Sequence, residues 1–568
     1  LYAHQEAIDH YQQALAFLKE TGAYRQAART LMKLGLTYHT AFDFQRARQA
    51  YEEGFALWQR AVEMEPAISP PAAPHAFREG WLDPPTLDPA LAEDSLSGAT
   101  IAQLFSGLLE LSPELNVVPG VARSWEVSEG GRKYLFHLRD DLRWSDEVPL
   151  TAEDFEYAWK RVLDPSTGSP VAKLLYDVKG ARAFQRGEVG WGEVGVRALD
   201  ELSLRVELEG PTGYFLHLLA HYTTYPVPRH VVDAQGGAWT EPGNLTTNGP
   251  FRLETWDRGV SMVLARNPGY TGQFRGNLDR VELSLLADPS AALEMYEADD
   301  LDIMYFHILP PAEMDRVRQR HAGEYVSGPT LNTEYVGFDA RRPPFDDPRV
   351  RRAFVLATDK ETLADVVLGG YVSPAMGGLI PPGMPGHSPG IALPYDPDRA
   401  RQLLAEAGYP GGRGIPVLEL PTRRGHEPMD EYLQAQWREN LGLEIRWVQM
   451  EWKSFLEHLF GGTPRIWCVA WAADYPDPDN FLRAGTWKSY TGWQSKAFDG
   501  LVEGARRVMN QGERIKLYQE ADRILVEKAV IMPLSHGRFH LLVKPWVKRY
   551  PASVIGGPFW KDIVIEPH

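Results

Sequence analysis

The stretch Cys468-Val469-Ala470-Trp471-Ala472-Ala473-Asp474-Tyr475-Pro476-Asp477-Pro478 sets one carboxylate between two large aromatic rings at the end of an apolar, strand-like run. A carboxylate held where water is scarce needs a cationic partner, because removing the partner of a buried charge costs roughly 3–5 kcal/mol. No Lys or Arg lies between Cys468 and Asn480, so the partner comes from elsewhere in the fold or from a ligand. On the local sequence alone, a strand end capped by a solvated Asp in a Pro-rich turn reads equally well.

Working outward, 568 residues exceed one hydrophobic core, and about two to four structural units are expected. Lys and Arg number 59 against 76 Asp and Glu, and the net charge of −17 repels phosphate backbones and anionic lipid. That argues against nucleic acid as a partner of this segment. No apolar run reaches the roughly 18–20 residues of a membrane helix, so no membrane insertion is expected here. The single Cys468 excludes an internal disulfide and every multi-cysteine metal pattern, and leaves the redox compartment open. The opening Leu1-Tyr2-Ala3-His4 has neither Met nor a signal-peptide pattern and reads as part of something longer.

From Glu6 to Ala61 the chain is built of good helix formers with no Pro, and apolar residues recur three and four apart, as at Tyr11, Leu15 and Leu18. Ala7, Tyr11 and Ala14 recur as Ala47, Tyr51 and Gly54, an offset of 47 − 7 = 40 residues. Leu31, Leu34, Gly35, Tyr38, Ala47 and Tyr51 resemble a tetratricopeptide repeat, with an unrelated helical hairpin as the alternative. One and a half repeats leave an apolar face that a neighbour must cover, and further repeats before Leu1 are one expected cover. Residues 1–64 are assigned to this segment, and 65–76, broken by Pro66, Pro70, Pro71 and Pro74, to a semi-rigid linker.

After the linker, short β-rich stretches such as Lys133 to Leu138 and Ser261 to Ala265 alternate with helices near Ala152 to Arg161 and Arg349 to Thr358. Several motifs follow in order. They include Thr86-Leu87-Asp88-Pro89, Phe105-Ser106-Gly107-Leu108-Leu109, Trp144-Ser145-Asp146-Glu147, Asn248-Gly249-Pro250-Phe251, Glu451-Trp452-Lys453, the Trp-Asp-Tyr run quoted above and Leu542-Val543-Lys544-Pro545-Trp546. Together they resemble the extracytoplasmic solute-binding proteins of family 5, the oligopeptide and dipeptide class, over about residues 77–568. The fold this implies is α/β, a two-lobed periplasmic-binding-protein-like fold of class II. By the same resemblance, lobe I takes residues 77–115, 228–327 and 538–568, an inserted subdomain 116–227, and lobe II 328–537. The hinge is expected near Leu331 to Tyr335 and Pro533 to Gly537.

The resemblance also implies an extended peptide held between the lobes by main-chain hydrogen bonds, with its α-ammonium on Asp474, which supplies the missing cation. Trp471 and Tyr475 would wall that site, beside Ala472 and Ala473. Trp452 would be a further cleft aromatic, and Glu93 and His426 polar ligand contacts. Cys468 stands where oligopeptide-binding members carry an arginine that can meet a short peptide's carboxylate, and Ser535-His536-Gly537 where they are tyrosine-rich. Glu147 stands in place of a usual glycine. The first two departures point to longer peptides, or to a ligand that is not a peptide, and the third is expected to be structural only.

His536 with His540, and His217 with His221, have helical metal-ligand spacing without a third ligand, and read as packed or solvated histidines. Asp474, Asp477 and Asp479 lack the glycine and glutamate of a calcium loop. No metal, cofactor or activated nucleophile is assembled, so no catalysis is expected. Arg351-Arg352 reads as a solvated helix face. Two functional readings stand. One is a binding protein that delivers peptides to an ABC-transporter permease outside the cytoplasm. The other is a ligand-sensing module of a larger cytoplasmic regulator, coupled through the repeats to an upstream domain.

Overall fold

The computed structural model describes residues 2–63, 75–286, 288–305, 309, 311–423, 426–461, 464–508, 510–555 and 557–568. Most of the expected linker therefore lies outside the described residues. The chain is a mixed α/β protein that forms two compact units, one of residues 1–303, 506–512 and 544–568, the other of 304–505 and 513–543.

The first unit opens with three helices, α1 (Tyr2–Glu20), α2 (Tyr24–Thr40) and α3 (Phe44–Glu63). Small residues of the repeat let its helices approach closely. A Cβ on Gly35 would stand 2.6 Å from the Tyr51 ring, and one on Gly54 3.1 Å from Met32, so α2 and α3 pack as closely as glycine permits. The open face of the repeat is covered from within the chain. Tyr51 and Phe55 pack on Trp125, with ring centroids 5.0 and 4.7 Å apart. His39, with no exposed surface, meets Tyr134 Oη through Nε2 at 3.2 Å. Phe44 fills the space beside Gly131. Trp125 and Tyr134 lie on the neighbouring strands Ala122–Ser128 and Lys133–Leu138, part of a four-stranded antiparallel sheet with Ser203–Glu207 and Val196–Asp200. Strand alternation points both rings off one face of that sheet.

Elsewhere in this unit Ala76–Trp81 runs parallel to Arg280–Leu285, which continues antiparallel into Ser261–Arg266 and Phe251–Asp257. The sequence motifs prove to be local fasteners. Asp88 takes both terminal nitrogens of Arg161, at 2.6 and 2.5 Å, and the Trp239 indole at 3.1 Å. Asn248 exchanges two hydrogen bonds with the Ser106 backbone, and a Cβ on Gly249 would stand 2.5 Å from the Leu104 carbonyl carbon, which accounts for Asn-Gly. Glu147 sits at φ 69°, a left-handed conformation that explains why glycine is the easier residue there.

Glu79 has no exposed surface. Its Oε2 accepts from Trp560 Nε1 at 2.9 Å, its Oε1 has no donor among the described residues, and burial pushes its carboxyl up to about 8. A carboxyl raised on folding contributes stability that is complete below about pH 4.5, its unfolded range, and is lost as pH rises through its folded value near 8. Glu79→Gln, neutral at every pH, is therefore expected to flatten part of the fall in melting temperature between pH 5 and 9. Identical pH profiles for the two proteins would contradict the assignment.

In the second unit Tyr325–Phe338 lies between Ile466–Ala472 and Ile531–Val543, antiparallel to both. The stretches expected at the hinge face each other in this sheet, with Thr333 opposite His536. Phe338, Phe345, Phe354, Trp437 and Ile466 form the core beside it. Arg351 departs from its expected solvated position. It is 3% exposed and donates to the carbonyls of Phe345, Ala529 and Lys528 at 2.6, 3.0 and 3.2 Å, so the guanidinium ties three backbone carbonyls together inside the unit. His536 and His540 are packed, held by Thr333 Oγ1 at 2.9 Å and by the Tyr371 carbonyl at 2.7 Å.

Candidate functional site

Alternation along Ile466–Ala472 puts Cys468, Ala470 and Ala472 on one face and Val469 and Trp471 on the other. It is the terminal strand of its sheet, paired with Tyr325–Phe338 so that Ala470 lies opposite Glu334 and Trp471 opposite Thr333. Ala473, buried, donates its N–H to the Leu331 carbonyl at 2.8 Å. The backbone then leaves the sheet, and three acids follow within six residues.

Asp477 is held by Arg514 through two bonds, Nη1 to Oδ2 at 2.7 Å and Nη2 to Oδ1 at 2.6 Å, and Arg514 is 1% exposed. Asp479, with no exposed surface, receives Tyr475 Oη at 2.9 Å, Tyr518 Oη at 3.0 Å and the Arg483 guanidinium at 2.6 Å. Both acids thus act within the fold, and fully buried Tyr475 braces the turn through its hydroxyl.

Asp474 is only partly buried. Its setting comes from Asn480, which has no exposed surface. Asn480 Oδ1 accepts both from Trp471 Nε1 at 2.9 Å and from the Asp474 N–H at 3.2 Å, while its Nδ2 donates to Asp474 Oδ2 at 2.8 Å. One amide therefore orients the carboxylate and the indole together. Sequence reasoning did not single out Asn480, although it stands six residues after Asp474 in the same Pro-rich turn.

Cys468 is buried, its Sγ–H donating to Glu334 Oε1 at 3.3 Å, and Arg423 Nη2 reaches the same oxygen at 3.4 Å. Arg423 stands over the Phe455 ring, 5.6 Å from its centroid. Burial, then Glu334, raises the thiol well above its ordinary range, so Cys468 is an inert neutral donor. Asp430, close by, accepts from Thr422 Oγ1 at 2.5 Å, and burial pushes it up to about 7. His426 precedes helix Glu427–Leu441, and its carbonyl accepts the Asp430 N–H at 2.9 Å. Trp452 begins helix Trp452–Gly461, and its side chain lies outside the described residues. Glu93 belongs to the first unit, one residue before Asp94, whose carboxylate caps helix Ser95–Leu104. The structure thus joins Asp474 and Trp471 through Asn480, and sets Cys468 with Glu334 and Arg423. Among the described residues no group of three or more His, Cys, Asp or Glu could hold a metal ion, and no helix is long and apolar enough to cross a membrane.

The profile of bacterial extracellular solute-binding proteins, family 5 middle, matches residues 116–492, and that of the tetratricopeptide repeat matches residues 3–60. The chain is 33% identical over 502 residues to the "probable deoxycholate-binding periplasmic protein YgiS" of Escherichia coli, covering 86% of this chain and 92% of that one. It is 31% identical over 496 residues to the periplasmic oligopeptide-binding protein OppA of the same organism, covering 85% and 91%. The solved structure of the Escherichia coli murein tripeptide binding protein MppA superposes with a TM-score of 0.82 at 29% identity, over 88% of this chain and 99% of that one.

Proposed function

The chain belongs to the bacterial extracellular solute-binding proteins of family 5, and from that premise we propose that it captures peptides outside the cytoplasm, its lobes closing on them, for delivery to an ABC importer. The observation that carries this reading is Asp474, oriented by buried Asn480 at the end of the terminal strand Ile466–Ala472. An extended peptide added antiparallel to that strand brings its α-ammonium to the carboxylate, while main-chain bonds supply affinity that tolerates many side chains. A bile acid such as the one in the name of YgiS offers a carboxylate instead, which Asp474 repels. Glu93, Trp452 and His426 are further proposed ligand contacts. The ligand is held without chemical change, and no cofactor is involved.

Native mass spectrometry of the purified protein, followed by calorimetry with peptides of three to five residues and with deoxycholate, tests this. Peptide binding supports the reading, and binding of deoxycholate alone overturns it. Asn480→Ala is expected to weaken peptide binding roughly tenfold, about 1.4 kcal/mol, because the carboxylate loses its orienting donor. Unchanged affinity would show that Asp474 needs no such support.

A second reading is favoured by the repeat helices packed on Trp125 and Tyr134, which make the tetratricopeptide segment continuous with the binding body. In that reading ligand capture is sensed and passed to a regulatory partner.

A further inference from the structure

Three helices of the second unit meet at a cavity of about 230 Å3, and none of the residues around Asp474 lines it. Helix Pro348–Leu356 supplies Pro348, Arg349 and Arg352, helix Pro397–Glu406 supplies Arg399 and Leu403, and Glu527 ends helix Gln511–Glu527 with Lys528 after it. Spacings of three and four set Arg349 with Arg352, and Arg399 with Leu403, on one side of their helices. Direct bonds join the three elements. Arg349 Nη1 donates to the Glu406 carbonyl at 2.8 Å, and buried Arg351 donates through Nη2 to the Lys528 carbonyl at 3.2 Å.

Four cations and one acid line this space, in a chain whose net charge is −17. Two of the cations are answered by acids beside the cavity. Asp347 takes Arg349 through Nε at 3.1 Å and Nη2 at 2.6 Å, and Glu406 Oε1 takes Arg399 Nη1 at 3.2 Å. The other two are not. The Arg352 side chain makes no hydrogen bond or ion pair among the described residues, and its Nε is buried without an acceptor. The Lys528 ammonium has no partner among them either, and exposed Glu527, the acid of the lining, pairs with neither. A buried donor without an acceptor is destabilising, and an anion in the cavity removes that cost.

The geometry points to a binding site for a phosphate-type oxyanion in this cavity, held by Arg352 and Lys528. A guanidinium fork meets two oxygens of a phosphate at once, and the group's second negative charge answers the ammonium as well. The space far exceeds the roughly 10–15 Å3 that admits one water, and Pro348 and Leu403 give it an apolar wall. It therefore takes either free phosphate or a phosphomonoester whose carbon stem lies on that wall, and the two share the same contacts to Arg352 and Lys528.

Thermal unfolding and calorimetry of the whole chain at low ionic strength, with inorganic phosphate against chloride at matched ionic strength, test the site. Millimolar phosphate is expected to raise the melting temperature by several degrees, as a ligand of the folded state alone does. Arg352→Gln is expected to lower phosphate affinity roughly tenfold or more, and Arg352→Lys to keep part of it. Lys528→Gln, at an exposed position, is expected to weaken binding too and keeps the test open if Arg352→Gln does not fold. Glu527→Gln removes the opposing acid and is expected to tighten binding, a gain that a merely structural role for these residues does not give. Phenyl phosphate binding more tightly than phosphate assigns an ester, and equal binding assigns the free ion. A melting shift no larger than that with chloride, or a phosphate affinity unchanged in Lys528→Gln or in folded Arg352→Gln, overturns the proposal.

Discussion

Arg514→Met is expected to lower the unfolding free energy by about 3–5 kcal/mol, the cost of stranding a buried charge, measured by denaturant unfolding. Asp477, 8% exposed, would lose both guanidinium bonds. Tyr518, which Arg514 Nη2 meets at 3.4 Å and which itself donates to Asp479, would lose a neighbour as well. The damage reaches the candidate site, since Asp477 is three residues from both Asp474 and Asn480, and the Asn480 N–H bonds to the Asp477 carbonyl at 3.0 Å. Ligand affinity should therefore fall along with stability. Removing the acid too is expected to restore much of the loss, because a buried pair replaced by apolar side chains is often neutral. If Arg514→Met is as stable as wild type, or if the double variant Arg514→Met with Asp477→Leu is no better than the single one, Arg514 is not what fixes this turn.

Asp474→Ala is expected to weaken peptide binding at least tenfold, because truncating one member of a hydrogen-bonded charge pair costs roughly 2–5 kcal/mol. Stability should hardly change, since Asp474 is partly exposed and its neighbours Asp477 and Asp479 keep their own cations. That separation of binding from stability distinguishes Asp474 from Arg514, and calorimetry beside thermal unfolding measures both. Equal affinity in wild type and variant would remove the proposed ammonium site.

Much of this was legible in the chain. The strand, turn and acid of 466–474 follow from an apolar run ended by Asp and Pro, and the repeat from the 40-residue recurrence of Tyr11 and Tyr51 with small residues beside them. Their partners were not. Asp474, Asp477 and Asp479 are alike in sequence, and what sorts them is a helix more than thirty residues on, which brings Arg514 and Tyr518 to two of the three. The cover of the repeat comes from Trp125 and Tyr134, on strands whose alternation fits an internal core just as well. Arg351 follows Val350 at a helix position that reads as solvated, and only the fold shows that the carbonyls of nearby Phe345 and of remote Lys528 and Ala529 converge on it. Hydrophobic periodicity reports which face is buried, and it is silent about which remote group a polar side chain will meet.

In the proposed binding mode the Asp474 carboxylate, set by Asn480, neutralises the α-ammonium of a bound peptide. Calorimetry with one peptide in free and N-acetylated forms, on wild type and on Asp474→Asn, tests it most directly. Acetylation is expected to weaken binding to wild type by at least tenfold and to make little difference to Asp474→Asn. Equal affinities of the two forms for wild type would contradict it.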